Sequence, residues 1–388
     1  MNRRGWIAIL VLVVALVGAG AWVARRPARA NNEVRSSLIE TMGGPVEAEG
    51  FARATDPAGM SFPDAFGPHP SYQTEWWYYT GNVQTAEGRA FGYQFTIFRR
   101  SLTPSAPERE SAFATNDVYM AHFAVTDAGG SRFFENERFQ RGGGGAAGAQ
   151  AEPYRVWLDD WSVEEIEPEV YRMRAQAEEV MIDFTLRSAK PPARHGNNGL
   201  SQKSGEVGNA SYYYSQTRLE TTGTLAIGEQ RFEVGGLSWK DHEYGTSSLA
   251  ENAAGWDWFS LQLSDGRELM YFQIRTVDGG VEPASSGSLV LEDGTVRPLA
   301  REAVQVEVLE TWTSPESGGV YPAKWLLRVP SEGIELTITP LIPDQELNVS
   351  ATYWEGAVVA EGSAGGQPIT ARGYIELTGY AGERAPSV

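Results

Sequence analysis

Acid groups set beside large aromatic faces are concentrated in two neighbouring runs. They are Trp239-Lys240-Asp241-His242-Glu243-Tyr244-Gly245-Thr246-Ser247 and Gly255-Trp256-Asp257-Trp258-Phe259-Ser260-Leu261-Gln262-Leu263. Together they hold three tryptophans, three carboxylates and one of only four histidines in the chain. His242, flanked by Asp241 and Glu243, has the surroundings of a general acid or base, because neighbouring carboxylates raise the pKa of an imidazole. The plainer alternative is a hydrogen-bonded histidine at a junction. Trp256 and Trp258, with Trp76 upstream, are either core packing or an apolar ligand wall whose ring faces would favour a positive charge. Upstream, the run His69 to Val83 adds Glu75 and Trp76. Glu75 is either a buried acid of raised pKa or the partner of an arginine such as Arg99.

Other chemistries find little support. His69, His122, His195 and His242 lie at no ligand spacing from one another, so no metal site is expected. There is no Gly-x-Ser-x-Gly elbow; Gly236-Leu237-Ser238-Trp239-Lys240 comes nearest and lacks the last glycine. No phosphate-binding loop or dinucleotide fingerprint follows a strand, and no cofactor is expected. The net charge of -18 argues against nucleic acid, whose phosphates would be repelled.

The elements that must position these residues read as strands. The length of 388 residues favours two domains, and 41% hydrophobic content supports a sizeable core. Thr74 to Val83, a Glu87-Gly88 turn and Phe91 to Phe98 form a β-hairpin. The design returns 178 residues later, with Trp256 to Leu263, an Asp265-Gly266 turn and Leu269 to Arg275, which brings Tyr271 over Tyr93. Short alternating segments continue through Met120 to Val125, Val180 to Leu186, Thr221 to Ile227, Ala323 to Val329 and Pro368 to Leu377. Tyr171 to Met181 is the best helical window and also reads as strands. Long connections run from Arg141 to Pro153 and from Ser188 to Ser211, the second with His195 and Lys203. Counting a two-residue Asp265-Gly266 loop sets Phe259 opposite Phe272 and Leu261 opposite Met270. Trp256, Trp258, Tyr271, Gln273 and Arg275 then share the other face, which would line a cavity.

Residues 6–24 carry no charge and follow Arg3-Arg4, the form of an export signal or a membrane anchor. Residues 1–30 are read as that segment, 31–61 as a linker or arm, 62–247 as one β-barrel domain and 248–388 as another. The expected location is the periplasm, with residues 6–24 either cleaved or retained in the inner membrane. With no cysteine, no disulfide contributes to stability.

The run His69 to Arg99, the segment Gly208 to Leu219, and Trp239 to Ser247 with Gly255 to Arg275 together resemble the AttH-like secreted proteins, grouped with carotenoid 1,2-hydratase in a lipocalin-like superfamily. The resemblance covers about residues 60 to 380. It implies an all-β protein of two calycin-type barrels with the site near their junction, and a lipid- or isoprenoid-like ligand. Carried over residue by residue, the hydratase pattern puts its histidine on His242 and its tyrosine on Tyr271. Tyr244 and Gln273 stand where that pattern has a tryptophan and an aspartate. The expected catalytic set is His242, Tyr271, Asp241, Glu243 and Tyr244. The expected ligand-binding set is Glu75, Trp76, Trp239, Trp256, Asp257, Trp258 and Gln273. Two functions fit: a hydratase or lyase that needs no cofactor, and a non-catalytic lipid-binding partner of a membrane transporter.

Overall fold

The computed structural model describes residues 49–105, 111, 113–246, 249–250 and 252–381. The uncharged run 6–24 lies outside them. Among the described residues, helix is confined to 3-10 turns at Asp64–Phe66, Arg301–Ala303 and Pro330–Glu332. No helix there is long and apolar enough to cross a membrane.

Two antiparallel sheets account for the rest. The first takes β1 (Thr74–Gln84), β2 (Ala90–Ser101), β3 (Asp117–Asp127), β4 (Arg132–Arg141), β5 (Ala147–Gln150), β6 (Arg155–Leu158) and β7 (Trp161–Glu167). It continues with β8 (Val170–Gln176), β9 (Val180–Ser188), β10 (Ala193–Arg194), β11 (Leu200–Gln202), β12 (Ala210–Ile227) and β13 (Gln230–Gly245). Its order is β4-β3-β2-β1-β13-β12-β9-β8-β7-β6-β5, with β10 and β11 paired to β12. The second takes β14 (Ala253–Leu263), β15 (Glu268–Thr276), β16 (Ser286–Val290), β17 (Val296–Ala300), β18 (Gln305–Thr313) and β19 (Val320–Val329). It ends with β20 (Ile334–Pro340), β21 (Glu346–Asn348), β22 (Thr352–Ala364) and β23 (Gln367–Leu377). Its order is β17-β16-β15-β14-β23-β22-β20-β19-β18, with β21 on β22. Both sheets are barrel-like, one nearly closed and the other a half-barrel.

Both duplicated hairpins close through a glycine in the left-handed region, Gly88 at φ 88° and Gly266 at φ 84°, where a Cβ would be strained. The loops are longer than two residues. In the second, Leu263 N donates to Arg267 O at 2.8 Å, and Gly266 N donates back to Leu263 O at 3.2 Å. Trp258 therefore faces Phe272, and Phe259 faces Tyr271. This corrects the pairing of Phe259 with Phe272 by one residue. A one-residue slip moves every side chain of the partner strand to the other face, so Tyr271, Gln273 and Arg275 part company with Trp256 and Trp258. Tyr171 to Met181 is strand, divided between β8 and β9. The long connections also hold strands: β5 in one, β10 and β11 in the other.

Each sheet curls around its own core. Trp77, Tyr79, Tyr93, Phe95, Phe123 and Trp161 fill the first, and Phe259, Tyr271, Trp325, Leu336, Trp354 and Ile375 the second. The outer faces of β1, β2, β12 and β13 pack against those of β14, β15, β22 and β23. At one end small residues let the backbones close up: a Cβ on Gly92 would sit 2.3 Å from that of Ala357. Nearby, Asn82 Nδ2 donates to Gly373 O at 2.8 Å. At the other end aromatic side chains stand between the sheets, among them Trp76, Tyr78, Tyr213, Trp239 and Trp258.

Candidate active site

Alternation along β13 sorts its chemistry into two places, since successive strand side chains point to opposite faces. Trp239, Asp241 and Glu243 face the second sheet; Lys240, His242 and Tyr244 face the first barrel's interior. β1 alternates alongside, with Trp76 and Tyr78 on the sheet-to-sheet side and Glu75 and Trp77 inside. The sheets enclose a cleft of about 1020 Å³, counting its open mouth. Trp76, Phe98, Trp256, Trp258, Phe272 and Ile274 form its apolar walls, and Lys203, Tyr213, Asp241, Glu243 and Glu376 its polar groups.

Asp241 is held by three donors. Trp239 Nε1 reaches Oδ1 at 2.6 Å, Tyr213 OH reaches Oδ2 at 2.6 Å, and Ser215 Oγ also bonds Oδ1. Burial nevertheless pushes its pKa up to about 7, against the pull of those hydrogen bonds and with a small push from Glu243. Tyr213 OH accepts in turn from Trp258 Nε1 of the second sheet at 3.0 Å. Ser215 leads to His195, whose Nε2 lies 2.6 Å from Ser215 Oγ and whose Nδ1 lies 3.0 Å from Ser288 Oγ. Burial, helped by the Lys203 charge, lowers His195 to about 3, so the ring is neutral. Glu243 is paired with Lys203 at 2.6 Å. On the facing wall, burial raises Glu376 to about 7.

The inner network is built differently. Burial pushes the Glu75 pKa up, but hydrogen bonds from His242 and His69 and the Arg99 charge outweigh it and hold the group well below the ordinary carboxylate range. His242 Nε2 lies 2.8 Å from Glu75 Oε1, His69 Nδ1 lies 2.9 Å from the same oxygen, and Arg99 Nε donates to Oε2 at 3.1 Å. Burial lowers His242 to about 4 against the pull of Glu75. The neutral ring donates from Nε2 and accepts at Nδ1 from Tyr214 OH at 3.1 Å. Lys240 is fully buried among rings, 4.5 Å from the centre of Tyr154, and burial lowers it to about 7. The donor atoms of His69, Glu75 and His242 lie within 4.8 Å of one another, a spacing that could hold a metal ion. Arg99 already places a positive charge on that carboxylate, which makes an ion-pair network the simpler account.

Of the residues expected from sequence, Asp241, Glu243, Trp76, Trp256 and Trp258 line the cleft together, and Trp239 supports Asp241 from behind. His242, Tyr244 and Glu75 do not reach it and lie on the barrel side. Tyr271 points into the second core. On that side too, Asp257 accepts from Gln273 Nε2 at 2.8 Å and Arg275 Nε at 2.9 Å. Asp241, His242, Glu243 and Tyr271 therefore do not share one cavity. Sequence reasoning missed Ser215, His195, Glu355 and Glu376 as site residues, and offered Tyr213 only among the tyrosines of Ser211 to Tyr214 whose hydroxyls could reach a cavity. Strand alternation in Ala210–Ile227 could have found Ser215, but nothing local marks Glu376.

Two curved antiparallel sheets, each around its own aromatic core and joined across a cleft, define a lipocalin-like double-barrel protein. The chain belongs to the AttH-like family, whose model matches residues 53–380. It is similar to the crystal structure of a Nitrosomonas europaea protein assigned as an AttH, at 34% identity and a TM-score of 0.77, covering 85% of this chain and 99% of that one. It also shares its fold with kievitone hydratase from Nectria haematococca, at 14% identity and a TM-score of 0.62, covering 85% of this chain and 96% of that one. No curated protein matches the sequence.

Proposed function

We propose that the protein adds water to, or removes it from, an apolar unsaturated molecule held in the cleft between the sheets, by acid–base chemistry without a cofactor. The observation that carries this reading is Asp241. It is a carboxyl beside the aromatic walls of the cleft, raised to about 7 by burial and fixed by Trp239, Tyr213 and Ser215. A group poised near working pH exchanges protons in both directions. The tryptophan faces would stabilise positive charge developing on a protonated alkene. The shared fold with a hydratase supports the same reaction class.

The apolar walls alone would equally suit a carrier that hands a lipid to a membrane transporter; the buried carboxyl separates the two readings. The proposal also includes export, supported by the uncharged run 6–24 after Arg3-Arg4. A reporter fused after residue 60 should be active only outside the cytoplasm. For the reaction, purified protein is incubated with apolar alkenes in oxygen-18 water, and label entering the product is measured by mass spectrometry. Asp241→Asn should bind these molecules and fail to label them. If wild type binds them and never incorporates oxygen, the enzyme reading fails and the carrier reading replaces it.

A further inference from the structure

On the wall facing Asp241 stands a second acidic device. Glu355 of β22 and Glu376 of β23 are direct cross-strand partners on one face, and burial raises both carboxyls, the charge of Glu376 adding to the rise at Glu355. Two ionised carboxylates placed opposite one another repel, and a carboxylate pair that shares a site keeps one proton. The remaining contacts say where that proton sits. Glu355 Oε2 accepts from Tyr78 OH at 2.9 Å. Glu376 Oε1 accepts from Trp256 Nε1. Glu355 Oε1 is buried and, among the described residues, has no donor. An orphaned buried carboxylate oxygen is costly; a proton on it, donated to Glu376, removes the cost. Glu355 is fully buried, whereas Glu376 reaches the cleft.

We infer that Glu376 is the catalytic acid of the cleft and that Glu355 is the positioning residue that keeps a proton at its disposal, with Asp241 as the opposing base. This rests on the hydration reading above. The two walls are complementary. Asp241 is ringed by donors on both oxygens, which suits an anion, while the Glu355–Glu376 pair leaves Glu355 Oε1 without a donor among the described residues, which suits a pair that keeps a proton. In the forward step the shared proton passes from Glu355 to Glu376 and from there to the alkene, whose π electrons form the C–H bond, and the other carbon becomes cationic beside the tryptophan faces. A water oxygen forms the C–O bond and its proton passes to the Asp241 carboxylate. Return of that proton to Glu376 through water resets the site, so one water is consumed and nothing else.

The test has two arms on the full-length protein. Infrared spectra of protein carrying carbon-13 glutamate side chains should show a glutamic-acid C=O band at pH 7, removed in Glu355→Gln. Absence of that band, or its survival unchanged in Glu355→Gln, overturns the shared proton whatever the activity. In the second arm, deuterium incorporation at the alkene carbons of farnesol in D2O is followed by mass spectrometry. Glu376→Gln should lose about 100- to 10,000-fold in rate, the usual cost of a missing general acid. Glu355→Gln should move the pH profile rather than abolish turnover. Wild type inactive on farnesol sinks the hydration reading and the acid role with it, leaving the infrared result to stand or fall alone. Active wild type with an equally active, folded Glu376→Gln overturns the acid role only. If Glu376→Gln does not fold, an unshifted pH profile in Glu355→Gln has the same force.

Discussion

The paired strands β1 and β13 carry a buried carboxyl on each face of the sheet and hold the two in opposite ways. On the barrel side Glu75 is surrounded by Arg99, His69 and His242, and its charge is compensated several times over. On the cleft side Asp241 receives only neutral donors, so burial prevails and its proton is retained to about pH 7. Whether a cation comes with a buried carboxyl decides if it is held ionised, and here two paired strands supply both cases, Glu75 on β1 opposite Tyr244 and Asp241 three residues back along β13.

The largest effect separating the faces should be on turnover. Asp241→Asn is nearly isosteric and should cost about 100- to 10,000-fold in rate while the melting temperature stays close to wild type. A rate loss matched by an equal loss of stability would erase the distinction. Next comes Glu75→Ala, which leaves Arg99 buried with Asp117 as its remaining carboxylate and both histidines without theirs, and should destabilise the fold by about 3–5 kcal/mol, measured by urea unfolding. A neutral result would mean the inner network does not hold the barrel. His242→Ala should be milder, about 1–3 kcal/mol from unpaired neighbours, with turnover per folded molecule unchanged. Strong loss of turnover with intact folding would move the chemistry to the barrel side.

The smallest effect is a difference in sign with pH. Asp241 has its folded pKa raised, so the native state binds more protons than the unfolded chain between the unfolded value and about 7. Its contribution is full at low pH and is lost as pH rises through that window. Glu75 is lowered, so its contribution is present above the unfolded carboxylate value and is lost as pH falls. Thermal melts of wild type and Asp241→Asn from pH 4 to 7 should therefore converge towards pH 7, with the wild-type advantage greatest at pH 4. Parallel curves would remove the case for a retained proton.

The double β architecture was legible because turn glycines and alternating aromatics recur in both halves. The Asp265-Gly266 signal located the hairpin, yet it could not give the loop length. That one residue decided which face Tyr271 and Gln273 occupy. Asp241 and Glu243 could be placed beside Trp256 and Trp258 from local pattern. Glu376 could not, since its role depends on Glu355 across a strand pair and on Trp256, 120 residues away. The convergence of His69 with His242 likewise comes from the pairing of β1 with β13, which spacing along the chain cannot show.

The close approach at Gly92 and Ala357 gives the molecule a fulcrum. The sheets are pinned where no side chain separates them, and the aromatic end lies six residues further along β2, at Phe98, roughly 20 Å away at the rise of an extended strand. A wedge is governed by its apex: the thickness of one residue there sets the gape at the mouth. For the ligand proposed above, the girth admitted would thus be set far from the cleft, at a position where even a methyl group acts as a shim.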